Sequence, residues 1–434
     1  MSIFKNKVVK NASWIIACRI AQSLISLVIG MISARYLGPS DYGLINYAAS
    51  VVAFAVPIAQ LGFRNVLVEE IVSHPEREGK TLGTSLVMSA VTSFLCIGGC
   101  LAFVSIANAS ENDTFIVCAL YSISLVFHTT EMIQYWYQAK LLSKYTSVTS
   151  LCAYIIVAAY KIFLLVTKKG VCWFAITSAF DLFIISATLL FIYWKIGTQK
   201  LSFSFSLGKE LFSKSRYYII SGMMVTIFSQ TDKIMIKTMT GDEATGFYSA
   251  ALTCAGVTSF VFAAVIDSLR PVIFESKKQS EEAFEKNVSL LYSLIIYMGL
   301  FQSVFLTLLA RPVTALLYGS DYAASVPILR IITWYSAFSY MGSVRNVWML
   351  AQGKHKYLWI INLSGALFNV AGNFALIPLL GAEGAAIATV ATQFFTNFAL
   401  CFIMKPIRPV IKLIYRALNP KTIIRMIKQK ENKT

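Results

Sequence analysis

An all-α, polytopic membrane protein is the fold class that this sequence predicts, and three observations carry the prediction. Apolar residues make up 57% of the 434 residues and charged residues only 14%, where soluble domains carry about a quarter. Mean hydropathy is +0.65. The apolar residues gather into twelve runs of 21 to 26 residues, each longer than the 18 or so that mark a spanning helix.

Between charged or Gly/Pro punctuation the spans read 12–34, 42–63, 82–107, 115–137, 146–167, 171–194, 217–238, 246–266, 288–310, 326–350, 357–378 and 384–404. The first is retained rather than cleaved, because no small-residue cleavage site follows it. Lys and Arg outside the spans divide 28 to 4 between alternate sides, with only Arg35, Lys168, Lys169 and Arg311 on the poorer side. The positive-inside rule then places both termini in the cytoplasm. The opposite loops are short and acidic, with Asp41, Glu111, Asp113, Asp242, Glu243, Asp321 and Glu383. They leave no room for an external catalytic domain.

A net charge of +17 would raise nucleic acid as a partner in a soluble chain. Here the cations lie in loops and in a basic tail, where they set orientation and meet lipid headgroups, so membrane lipids are the expected partner and nucleic acid is not. Eight cysteines sit in or beside apolar runs without C-x-x-C spacing, and only His74, His128 and His355 exist. No metal site, no cofactor and no catalytic residue are expected from them.

An internal repeat runs at an offset of 203 residues. Gly38 and Gly43 in Ala34-Arg-Tyr-Leu-Gly-Pro-Ser-Asp-Tyr-Gly align with Gly241 and Gly246 in Lys237-Thr-Met-Thr-Gly-Asp-Glu-Ala-Thr-Gly. The same offset superposes the polar face Arg19, Ser23, Ser26 and Gly30 on Gly222, Thr226, Ser229 and Lys233. Two halves of six spans share one orientation and are related by a pseudo-twofold along the membrane normal. The predicted domains are therefore a six-helix bundle over 1–200, a second over 201–405, and a basic tail over 406–434. The paired glycines read as tight turns.

Ionised groups inside hydrocarbon cost roughly 2.5 to 3.5 kcal/mol and face a cavity or a partner. Nine fall within spans: Arg19, Glu131, Lys161, Asp181, Asp232, Lys233, Lys237, Arg330 and Arg345. Six are cationic and three acidic, so they cannot all pair, and the excess points to a cavity that receives anions. Lys161 and Asp181 are expected to form a structural salt bridge, and Lys237 and Arg345 to snorkel to the helix ends. Arg19, Arg64, Lys233, Arg270 and Arg330 are the candidates for binding an anionic substrate, since guanidinium forks bind two phosphate oxygens at once. For Arg64 and Arg270, ordinary positive-inside placement is an equal alternative. Gln22, Glu131 and Asp232 are candidates for the pathway or for ion coupling. His128, Glu131, Tyr135 and Gln138 share one helix face, as do Asn362, Asn369 and Asn373, either to pack helices or to line a hydrophilic path.

The Ala34–Ala48 motif, with Leu61-Gly-Phe-Arg-Asn65, Ser229-Gln-Thr-Asp-Lys-Ile-Met-Ile236 and Gly246-Phe-Tyr-Ser-Ala250, resembles the polysaccharide repeat-unit (O-antigen) flippases. These belong to the multidrug/oligosaccharidyl-lipid/polysaccharide exporter (MOP) superfamily. The resemblance spans essentially the whole chain. It implies a V-shaped pair of six-helix bundles around a cationic cavity, as in the related multidrug exporters. It further implies that an undecaprenyl-pyrophosphate-linked oligosaccharide is turned across the bacterial plasma membrane by alternating access. A polymerase and a chain-length regulator of the same pathway would be partners. Related lipid II flippases carry cavity arginines on helices 1, 2 and 8, which match Arg19, Arg64 and Arg270 by helix. A small-molecule cation exporter is the alternative within the superfamily. A membrane polymerase is disfavoured by the short outer loops.

Overall fold

The computed structural model describes residues 2–197 and 199–419, with side chains described for 18, 20–64, 66–197 and 199–419. Among the described residues every regular element is helical. In order they are α1 (Ser2–Ala59), α2 (Phe63–Ser73), α3 (Glu78–Ala107), α4 (Asn112–Ser122), α5 (Ser124–His128), α6 (Glu131–Ala139), α7 (Ser143–Val166), α8 (Val171–Ile196), α9 (Phe205–Thr240), α10 (Asp242–Gly256), α11 (Ser259–Gln279), α12 (Glu281–Leu308), α13 (Ala310–Tyr318), α14 (Ser325–Ala351), α15 (Leu358–Phe394), α16 (Leu400–Ile403) and α17 (Pro409–Leu418). A π-helical turn, Phe395–Ala399, joins α15 to α16.

Eight helical stretches among the described residues are long and apolar enough to cross a membrane, so the chain is a multi-pass membrane protein. Two of the eight, Ile20–Ala59 and His355–Ile403, each hold two of the predicted spans. Within them the backbone breaks at Gly38 and Gly381. α9 and α14 fall outside the eight, being interrupted by Asp232, Lys233 and Lys237 and by Arg330 and Arg345 respectively.

Two glycines that the expected repeat aligns share one backbone conformation. Gly38 has φ 74° and ψ 173°, and Gly241, 203 residues on, has φ 98° and ψ −176°. An L-residue avoids this region and glycine does not, which is the local reason for both turns.

The chain forms two compact units, Met1–Thr238 and Met239–Thr434. The contact boundary thus falls about one helix beyond the boundary expected at 200/201. In the first unit, one core gathers Leu44, Tyr47, Val51, Val117 and Leu125. A second gathers Phe63, Leu67, Leu82, Met132, Trp136, Leu189, Leu207 and Leu211. Leu207 and Leu211 belong to α9, which is how that helix joins the first unit.

The segment leading into α9 is strapped along α3. Gln199 accepts from the Gly79 N–H at 3.0 Å and donates to the Pro75 carbonyl at 2.8 Å, while the Ser204 N–H donates to Thr84 at 3.0 Å. A Cβ at Gly79 would stand 2.5 Å from the Lys200 carbonyl, and one at Gly83 2.5 Å from that of Ser202. Ion pairs fasten the same end. Buried Glu70 bonds Arg77 and, at 3.1 Å, Lys214, which also pairs with Glu210 at 2.7 Å. The Lys214 hydrogen bond holds the Glu210 carboxyl below the usual carboxylate range, against the small rise from burial. In the second unit, α12, α14 and α17 share one core that includes Tyr292, Ile295, Val344, Trp348, Leu413 and Ile414.

Candidate functional site

The first unit holds an open cavity of about 410 Å³ lined mainly by polar side chains. α1 contributes Cys18 and Gln22, and α2 contributes Arg64. α6 presents Glu131, Gln134, Tyr135 and Gln138, and α7 presents Ser143, Thr146, Ser147 and Ser150. Each of the last two sets follows i, i+3, i+4, i+7, so each makes one stripe along its helix. Two polar stripes facing one space would be intolerable against lipid and are natural around water. The volume falls within the roughly 300 to 1,000 Å³ of small-molecule sites.

Glu131 is held from two sides. Gln60 Nε2 donates to its Oε2 at 2.5 Å, and His128 Nδ1 lies 2.9 Å from its Oε1. Arg64 is exposed into the same cavity and makes no ion pair among the described residues. Its guanidinium therefore faces the space with its fork available to an anion.

Of the sequence candidates, the structure brings Gln22, Arg64 and Glu131 together here. Arg19 lies on α1 three residues before Gln22, and its side chain falls outside the described residues. Lys233 lies elsewhere in the first unit, donating to Gln230 at 3.2 Å, whose amide oxygen also accepts from Ser50 at 3.1 Å. Asp232 is buried beside it. Arg270 and Arg330 belong to the second unit. Arg270 pairs with Asp267 at 3.1 Å, and Arg330 is exposed on α14.

Three expectations are corrected. Lys161 and Asp181 form no direct bridge. They line a second cavity of the first unit, of about 240 Å³, with Tyr121, Tyr154, Thr177 and Ser178, and Asp181 Oδ1 is buried without a hydrogen-bond partner. Lys237 does not snorkel either: its side chain is 1% exposed and bonds Glu111 at 2.5 Å. Arg345 is also buried, at 3%. Each reaches a partner far off in sequence, Lys237 the Glu111 that precedes α4 and Arg345 the Thr396 carbonyl, a long-range contact to which spacing along the chain is blind. The α7 stripe and Gln134 were missed, although their i, i+3, i+4, i+7 spacing is the signal that exposes them.

The profile of a family described as polysaccharide biosynthesis protein matches residues 8–277, more than half of the chain. The chain belongs to this polysaccharide biosynthesis family. The capsular polysaccharide biosynthesis protein CapF of Staphylococcus aureus is 22% identical over 409 residues, covering 92% of this chain and 100% of that one. An uncharacterized membrane protein of Methanocaldococcus jannaschii is 27% identical over 241 residues, covering 54% of this chain. That match spans 45% of the archaeal relative's length. Among solved structures, the lipid II flippase MurJ in an inward closed conformation superposes with TM-score 0.71 at 16% identity, covering 93% of this chain and 91% of that one. An inward-facing multidrug resistance MATE transporter of the MOP superfamily gives TM-score 0.65 at 14% identity, covering 92% and 96%. The family member described here therefore has the fold of the MOP transporters.

Proposed function

We propose that this protein is a flippase for a lipid-linked oligosaccharide, an undecaprenyl-pyrophosphate-linked repeat unit, carried across the bacterial plasma membrane by alternating access during surface polysaccharide assembly. The observation that carries this reading is the polar cavity of the first unit, with Arg64 unpaired beside a double stripe of amides and hydroxyls. A pyrophosphate bearing several sugars cannot cross hydrocarbon unaided, because its charges and hydroxyls would lose their water. In the proposal, Arg64 takes the phosphate oxygens in a bidentate grip, and Gln22, Gln134, Gln138 and the α7 hydroxyls replace water around sugar hydroxyls. The Tyr135 ring offers an apolar face to a pyranose. Arg19 is a second cation on the same helix as Gln22. Both termini lie in the cytoplasm in this reading, which follows from the 28 to 4 division of Lys and Arg. A polymerase and a chain-length regulator would then take up the delivered unit.

Glu131 favours one alternative, a small-molecule cation exporter, since a carboxylate at the cavity wall could receive a cation. Sealed vesicles containing the purified protein and a lipid-linked oligosaccharide distinguish the two. Movement of intact substrate between leaflets, without bond formation, is expected. Efflux of an organic cation with no movement of the lipid-linked sugar would overturn the proposal in favour of the alternative.

A further inference from the structure

Arg345 of α14 carries a full positive charge inside the core of the second unit, and among the described residues no carboxylate answers it. Of its five N–H donors, one on Nη1 reaches the Thr396 carbonyl at 2.6 Å and one on Nη2 reaches the Asn346 amide oxygen at 3.3 Å. Nε reaches nothing. Thr396 lies in the π-helical turn, where the regular i to i−4 ladder is interrupted and a carbonyl can turn to a side chain. Tyr292 of α12 is wholly buried, and its hydroxyl also has no hydrogen-bond partner. Tyr292, Arg345 and Cys401 are near enough to act on one another electrostatically. The core that includes Tyr292 and Cys401 also holds Ile295, Ile296, Met341 and Val344, all apolar and buried.

A buried guanidinium without a countercharge is unfavourable, and a hydroxyl and a thiol supply donors but no negative charge. A water molecule could satisfy the orphaned donors and would still leave the charge uncompensated. An anion does both. We propose that the second unit holds a small monovalent anion, chloride-sized, between the Arg345 guanidinium and the Tyr292 hydroxyl. Both groups are buried beside an apolar core, where a monatomic ion leaves no further oxygens to be satisfied, as a phosphate or a carboxylate would. The site belongs to a different unit from the Arg64 cavity and does not depend on the transport assignment.

The test uses the full chain, purified in detergent with gluconate as the sole anion and titrated with sodium bromide at constant ionic strength. Melting temperature should rise with bromide and saturate, and desalted protein should retain stoichiometric bromide by elemental mass spectrometry. Tyr292→Phe removes one donor at almost unchanged volume and should raise the half-saturating concentration about tenfold. Arg345→Met should abolish the response. Identical melting in gluconate and bromide, with no bromide retained, overturns the proposal. So does a bromide response that Tyr292→Phe leaves unchanged, since the ion would then act elsewhere. If Arg345→Met yields no folded protein, the Tyr292→Phe titration decides alone.

Discussion

Gln60, in the turn between α1 and α2, donates to Glu131 on α6 at 2.5 Å and so takes up the carboxylate that faces the same cavity as Arg64. A neutral amide has done what a cation would otherwise do. Among the described residues the guanidinium is left without an ion-pair partner, as the proposed grip on a phosphate requires.

Arg64→Ala should reduce delivery of the lipid-linked oligosaccharide about 10- to 100-fold at unchanged membrane abundance, the loss of one or two charge-assisted hydrogen bonds. Arg64→Lys should recover part of it, because an ammonium keeps the charge and loses the fork. Complementation of a flippase-deficient strain, with abundance read by immunoblot, checks both. An abundant, fully active Arg64→Ala protein removes Arg64 from the site.

Gln60→Ala should cost about 1 kcal/mol of stability and also weaken transport, since it frees Glu131 to turn toward Arg64. Gln60→Ala with Glu131→Gln should transport better than Gln60→Ala alone. A double variant no more active than the single one would show that Glu131 does not compete for the arginine.

The Glu111 and Lys237 pair should make stability depend on acid. Burial alone would raise the Glu111 carboxyl, but the hydrogen bonds from Lys237 and Thr114 outweigh it and hold the group below the usual carboxylate range. A folded value below the unfolded one means that the unfolded chain binds more protons in that window. The contribution is present above about pH 4.3 and is lost as pH falls through the lower folded value. Melting curves of the parent should drop in that window, and those of Glu111→Gln should be flatter. Equal acid sensitivity in the two would place the titration elsewhere.

Gly83→Ala should destabilise the first unit by about 1 to 3 kcal/mol, because the added methyl meets the Ser202 carbonyl, a backbone atom that cannot turn aside. Gly99→Ala, where a Cβ has no neighbour within 4 Å, is the control. Thermal melts in detergent should separate the two, and equal melting would mean that the strap yields freely.

Single cysteines at Ser110 and Asp242 in a cysteine-free background should react with an impermeant maleimide from outside, and one at Gln279 should not. The reverse pattern would invert the orientation on which the cytoplasmic placement of both termini rests.

What was legible in the sequence was whatever repeats with a helical or an internal period. Gly38 and Gly241 announced the duplicated turn because only glycine fits that backbone, and Gln22 and Glu131 announced the cavity because polar groups on an apolar span need water. Ser143, Thr146, Ser147 and Ser150 obey the same rule, but at a helix start small hydroxyls look like ordinary end residues. The partners of Lys237 and Arg345 were beyond reach for a different reason. Glu111 and Thr396 lie 126 and 51 residues away, and neither composition nor spacing encodes which helices meet.

Membership of α9 in the first unit also has a consequence for biosynthesis. Glu111 leaves the ribosome 126 residues ahead of Lys237, an interval of roughly 6 to 25 s at about 5 to 20 residues per second. During that time the five apolar stretches before α9 can insert, yet the unit lacks Leu207, Leu211 and Lys237. The nascent unit must wait for α9 before its core is complete. Insertion machinery that shields the incomplete core until α9 arrives should raise the yield of folded protein.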